Sequence, residues 1–247
     1  MMPMETLLLI PLIFLAALLF SSVGHGGASG YLAAMALVGV APAEMRPAAL
    51  VLNIFVASIA VVKFYRAGAF SWPLLLPLGI ASIPAAFIGG SLSLPSHIYK
   101  PVMGFVLLLA AWHVFRHARR PDNELLNQVS SPVLLGVGAG LGLLSGLTGI
   151  GGGIFLSPLL LFFRWGKTKV ISGVAAAFIL VNSIAGLVGV LLKAPTLPSA
   201  LPYWVLAAVV GGLIGAEYGS RKLANPSIRM LLALVLLLAG SKMILSA

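Results

Sequence analysis

The chain has no cysteine among its 247 residues, which excludes disulfides, thiolate metal sites and thiol nucleophiles. Acidic residues are nearly as scarce, with five Asp and Glu in all. Charged residues of both signs make up only 8%, against about 25% in a soluble domain. So few charges cannot cover a water-facing surface, and lipid must be the main solvent. The fifteen Lys and Arg leave a formal net charge of +10. They stand singly between apolar runs and form no dense basic stripe, so nucleic acid is excluded as a partner. The anionic inner leaflet is the partner they fit. No nucleophile has a matched base and no carboxylate pair lies within an apolar run, so an enzyme is not expected. No cofactor is expected either.

What is abundant is apolar residues, 60% of the chain, with a mean hydropathy of +1.12. The first twenty residues have the length of a signal-peptide core. They carry only Glu5, no preceding Lys or Arg, and no small-x-small cleavage site, so the segment is read as retained structure. The chain also repeats itself. Gly24-His25-Gly26-Gly27 recurs 125 positions later as Gly149-Ile150-Gly151-Gly152, and Ser58-Ile59-Ala60 recurs at the same interval as Ser183-Ile184-Ala185. Phe87-Ile88-Gly89-Gly90 is matched by Leu213-Ile214-Gly215-Ala216, and Trp72 by Trp204. The organisation expected is a first half at 1–118, a polar cytoplasmic linker at 119–130 and a second half at 131–247.

Each half has the same order of parts. Short apolar runs flank a glycine-rich patch, and three longer runs follow. In the first half the runs are Leu7–Phe20, Tyr31–Val40, Ala48–Val62, Trp72–Leu92 and Ile98–Phe115. In the second they are Val133–Leu144, Ile154–Phe163, Val170–Leu192, Tyr203–Tyr218 and Ile228–Leu245. Leu7–Phe20 would be about 21 Å long as a helix, short of the ~30 Å hydrocarbon core. Leu7–Val40 as one helix would reach ~51 Å, which is too long. The segment is thus either one broken span or a hairpin that enters and leaves by the same face.

Charge placement distinguishes the two. A single broken crossing puts seven Lys and Arg on one face and eight on the other, with no bias. A hairpin in both halves puts eleven on one face (Lys63, Arg66, Arg116, Arg119, Arg120, Arg164, Lys167, Lys169, Arg221, Lys222 and Arg229). It leaves Arg46, Lys100, Lys193 and Lys242 on the other. The positive-inside tendency favours the hairpin. The fold class expected is therefore an all-α polytopic membrane protein of two inverted halves. Each half holds a glycine-rich hairpin and three transmembrane helices, the usual construction of alternating-access carriers.

The two glycine patches are the candidate site. Broken backbone at membrane depth is tolerated only in a protein interior or a polar cavity. The helix that resumes after each patch aims its N–H groups and positive dipole end at the break, which suits an anion. The candidate substrate-binding residues are Ser22, Gly24, His25, Gly26, Gly27 and Ser29 in the first tip, and Thr148, Gly149, Gly151, Gly152 and Gly153 in the second. Asn53, Asn182 and Ser183 join them from inside apolar runs, where each either lines the cavity or bonds between helices. Ser22, Ser29 and Thr148 are expected to add hydroxyl donors. The competing reading is that the glycines only let helices pack closely. His25 has no twin, since Ile150 takes its place. It either adds charge or carries a proton, or it is a neutral side chain bonded to a backbone carbonyl. No second His or carboxylate falls at ligand spacing near it, so no metal site is expected. Glu217 and Arg221 are spaced as a helical ion pair. Gly211, Gly215 and Gly219, with Gly136 and Gly140, read as close-packing faces. Trp72, Trp112, Trp165 and Trp204 read as interfacial anchors.

With Gly24-His25-Gly26-Gly27, Gly149-Ile150-Gly151-Gly152-Gly153 and the two-half organisation on essentially its whole length, the chain resembles the TauE/SafE (TSUP) family of sulfite and organosulfonate exporters. The resemblance implies a permease of the cell (inner) membrane for sulfite, sulfoacetate or related sulfonates. Family members are usually described with seven or eight spans, and ten segments depart from that description. The expected partners are a small anion, the bilayer and protons as a candidate coupling ion, with homo-oligomerisation open. A passive anion channel and a non-transporting membrane subunit are the alternatives.

Overall fold

The structure is a computed structural model that describes residues 4–92, 95–116, 127–193 and 196–221, with residues 237, 241, 244 and 245. The linker around Asn123 and most of the apolar run Ile228–Leu245 lie outside the described residues. Among the described residues all regular structure is helical. The elements are α1 Met4–Ser21, α2 Ala28–Val38, α3 Pro42–Arg66, α4 Trp72–Ser91, α5 Ser96–Arg116, α6 Ser131–Thr148, α7 Gly153–Phe162, α8 Thr168–Leu191 and α9 Leu201–Arg221. Five of them, α3, α4, α6, α8 and α9, are long and apolar enough to cross a membrane. Proline opens α3, α4 and α6, where its missing N–H costs no helical bond. Every expected apolar run in the described regions became a helix, α3 extending well beyond its expected start at Ala48, back to Pro42.

The distribution of polarity is that of a protein in hydrocarbon. Ile80, Phe105 and Leu206 are mostly exposed, whereas Arg46, Asn53, Ser82, Asn182 and Ser183 are buried. Polar side chains in a bilayer gain by facing protein, and apolar ones lose nothing by facing lipid.

Two close helix pairs frame the interior. In one, α6 lies parallel to α4, with Gly138, Gly142 and Gly146 against the backbone of Leu78, Ser82 and Ala86. In the other, α9 lies parallel to α1, with Gly211, Gly215 and Gly219 against the backbone of Phe14, Leu18 and Ser22. A Cβ at any of these six glycines would enter the partner's main chain, so the glycines set the helix spacing. Gly136 and Gly140, expected to form the packing face of α6, have open space around them instead. The face that packs is the register two residues on. Between the two pairs, α3 and α8 pack against each other and α8 crosses α4 antiparallel, with Gly90 against Gly186 and Gly189 against Phe87.

Two expectations about single residues change, those for Trp204 and Arg46, and Glu217 has a partner that was not expected. Trp204 is 2% exposed and packs in the core with α1 and α3, so it is no interfacial anchor. Glu217 pairs with Lys63 across α3 and α9; the side chain of Arg221 lies outside the described residues. Arg46, placed by its sequence position among the loop charges of the sparsely charged face, is only 9% exposed.

The ends of the α6–α7 segment lie together. The Asn127 backbone N–H donates to the Arg164 carbonyl at 2.9 Å, and Asn127 Nδ2 donates to the Phe163 carbonyl at 3.0 Å. The chain thus reaches the tip through α6 and returns through α7 to where it started. In the α1–α2 segment, Gly30 of α2 packs against Ala16 and Phe20 of α1.

Candidate functional site

The helices stop at the two tips because glycine there takes a backbone shape that other residues resist. Gly24 and Gly27 in the first tip have φ of 77° and 99°, and Gly149, Gly151 and Gly152 in the second have 80°, 81° and 78°. These left-handed values cost an L side chain about 1 kcal/mol or more. After each reversal the chain re-enters a helix, α2 at Ala28 and α7 at Gly153.

Asn53 of α3, fully buried, holds the two tips to one point. Its Oδ1 accepts the Ala28 N–H of the first tip at 3.0 Å. Its Nδ2 donates to the Ile150 carbonyl of the second tip at 3.1 Å and to Ser183 Oγ of α8 at 3.3 Å. Gly26 and Gly151, matched positions in the two patches, pack on the same two side chains. A Cβ on Gly26 would lie 2.5 Å from Asn53 Oδ1 and 3.0 Å from Ile179. A Cβ on Gly151 would lie 2.8 Å from Asn53 Nδ2 and 2.8 Å from Ile179.

His25 makes a second link between the tips. Its Nε2 lies 3.1 Å from the Gly153 carbonyl, which only accepts, so Nε2 carries the proton of this bond. Tyr31, buried in α2, donates its hydroxyl to the Gly26 carbonyl at 2.8 Å and steadies the first tip. A role for His25 as a joint makes a sharp expectation. His25→Gln, which keeps a donor of similar reach, should transport within a few-fold of the parent, whereas His25→Leu should lose several-fold or more, the part-buried bond to the Gly153 carbonyl being worth ~1 kcal/mol and its orphaned partner more. Flux assays on both variants, checked for equal insertion, measure this; equal flux in the two would remove the joint role.

The other expected residues divide. Gly24 leans on the backbone of Ser172, Gly149 on Arg46, Gly152 on Phe178, and Gly153 on Ile179, with the His25 ring close by. Gly27 faces the Tyr31 ring. Ser29 is buried at the start of α2. Ser22 and Thr148 were expected to donate toward a ligand, but each gives its hydroxyl proton to its own helix, at Leu19 (2.7 Å) and Leu144 (2.6 Å). A hydroxyl has one proton, so neither offers a donor in this state. Thr148 Oγ1 instead accepts the Ile150 N–H at 3.4 Å. Asn182 stays apart from the Asn53 network. Its Nδ2 donates to the Phe178 carbonyl of its own helix at 2.7 Å, and its Oδ1 is buried without a partner.

Two residues of this region were not found from the sequence, Tyr31 and Arg46. Tyr31 carries a weak signal, a single hydroxyl just after the glycines. Arg46 carries a stronger one. It is a lone charge with apolar sequence on both sides, and intramembrane cations are functional candidates by default.

A bundle of apolar-surfaced helices around a polar junction of two broken helices defines a multi-pass membrane transporter. Residues 9–243 match the family described as "Sulfite exporter TauE/SafE", and the chain belongs to that family. It is 40% identical over 234 residues to "Probable membrane transporter protein y4hK" of Sinorhizobium fredii (strain NBRC 101917 / NGR234), covering 94% of this chain and 95% of that protein. It is 27% identical over 246 residues to "Probable membrane transporter protein YjnA" of Bacillus subtilis (strain 168), covering 90% and 92%. No solved structure matches the chain.

Proposed function

We propose that the protein is a secondary transporter of small anions, sulfite or organosulfonates, working by alternating access around the two glycine tips. The observation that carries this is the position of Asn53, one amide bonded to both tips. The Ala28 N–H is taken by Asn53; the other first N–H groups of α2 and α7 have no partner within their own helices, and their dipole ends lie toward this amide. Such a junction favours a small anion with several oxygens, which can accept the remaining N–H groups and sit at the positive dipole ends. The family's description as a sulfite exporter supports the sulfur oxyanion class.

The helix pairs support two inverted halves. Under the repeat, α1 corresponds to α6 and α4 to α9, so the α1–α9 and α4–α6 pairs are equivalents exchanged between halves, with α3 and α8 on the axis. The bonds from Asn127 to residues 163 and 164 support a re-entrant hairpin, since a single crossing would put those residues on opposite faces. An inverted pair around one site supplies two gates that open in turn.

Flux of sulfite into liposomes containing the purified protein tests the function. A carrier saturates with sulfite and carries no steady current like that of an open pore. A pH gradient that drives uptake identifies protons as the coupling ion. Linear, unsaturable flux with channel currents would replace the carrier by an anion channel, and no flux with correctly inserted protein would reject transport of this anion.

A further inference from the structure

Arg46 lies in the second turn of α3, nine-tenths buried, and Gly149 of the second tip rests on its stem. A Cβ on Gly149 would lie 2.9 Å from Arg46 Cγ. Its Nη1 donates to the Leu92 carbonyl at 2.8 Å. Its Nη2 lies 2.6, 2.8 and 2.5 Å from the carbonyls of Gly89, Gly90 and Gly146. These acceptors lie at the C-terminal ends of α4 and α6, the negative ends of their dipoles. Nε, two bonds from the Cγ that Gly149 packs on, is buried with no partner. Among the described residues, no carboxylate pairs with Arg46. The carbonyls lower the cost of burying the guanidinium, but dipoles leave its net charge in place. Arginine does not escape that cost by releasing a proton.

The position is one-sided. Gly24, the counterpart of Gly149, leans on Ser172 of α8, so one tip rests on a cation and the other on a neutral residue. Seven residues separate Arg46 from Asn53, a rise of about 10 Å along α3. We infer that Arg46 is the fixed positive charge that sets the charge preference of the site between the tips, acting through its field from beside the second tip. The inference rests on the anion reading given above. At ~10 Å and an effective dielectric of ~20, one extra negative charge on a ligand gains roughly tenfold in affinity. The site should therefore discriminate anions of one shape by their charge.

Sulfate and methanesulfonate provide the probe, being tetrahedral, similar in size, and doubly and singly charged at neutral pH. Equilibrium binding to the detergent-solubilised full chain should show sulfate bound roughly tenfold tighter. Arg46→Lys keeps the charge but not the four-carbonyl geometry, and should keep the preference even if both affinities fall. Arg46→Gln should still bind methanesulfonate and lose most of the preference. A purely structural clamp predicts the reverse pattern, with both variants weakening both anions by equal factors and leaving the ratio untouched; that result overturns the inference while leaving the anion site standing. Equal binding of the two anions by the parent protein overturns it without any variant, should Arg46→Gln not fold. No binding of either anion by the parent rejects the anion reading itself, and the inference with it.

Discussion

Asn53→Asp should abolish anion transport more completely than Asn53→Ala. By shape and bond count alone the order should be the opposite. Aspartate has nearly the shape of asparagine and keeps the acceptor for the Ala28 N–H, losing only the donor to Ile150 and Ser183. Alanine loses all three bonds and leaves buried groups unpaired, at about 1–3 kcal/mol each. An anion held between the tips changes the comparison. At ~4 Å and an effective dielectric of ~20, it meets repulsion of about 4 kcal/mol from the new carboxylate, close to a thousandfold in affinity. The measurement is initial sulfite flux in liposomes, beside thermal unfolding of each purified variant. Asn53→Asp should be the poorer transporter wherever its carboxylate is ionised, and thermal unfolding separates that loss from the cost of burying a charge at a position that is 0% exposed. If Asn53→Asp transports better than Asn53→Ala at every pH up to about 9, where even a buried carboxyl ionises, no anion binds next to Asn53, and the amide only holds the tips together.

Gly151→Ala should reduce flux by at least about tenfold, and Gly26→Ala by a similar factor for a different reason. At Gly151 the added methyl meets two obstacles. The φ of 81° costs about 1–2 kcal/mol for an L residue, and the Cβ would sit 2.8 Å from both Asn53 Nδ2 and Ile179. At Gly26 the backbone is not strained, but the Cβ would lie 2.5 Å from Asn53 Oδ1. Both substitutions push the amide off the bonds that join the tips. Gly136→Ala is the control, since open space surrounds that residue. It should leave flux unchanged and raise stability by roughly 0.5–1 kcal/mol, the usual gain for alanine over glycine within a helix. Normal flux in both tip variants, with folded protein, would reduce the tip glycines to packing residues.

The membrane class, the helical segments and the two interruptions were legible in the residues because each is a local property. An apolar run of sufficient length partitions into lipid wherever it occurs. Gly24, Gly27, Gly149, Gly151 and Gly152 permit a left-handed backbone through their own lack of a Cβ. The Asn53–Ser183 pairing was half legible. Both residues stood out as polar within apolar runs, but nothing in their spacing says that they meet or that one amide reaches both tips.

Which face of each helix turns inward was decided only by the tertiary structure. In water a helix declares its inner face by its apolar stripe. Here lipid and protein interior are equally apolar, so α6 carries glycines in both candidate registers. Only packing against α4 selects Gly138, Gly142 and Gly146 over Gly136 and Gly140. The same ambiguity hid the burial of Trp204, and it set Arg46 among surface charges. A charge near the end of an apolar run looks the same in sequence whether it faces headgroups or helix ends. It becomes an interior cation only when four carbonyls of α4 and α6 close around it.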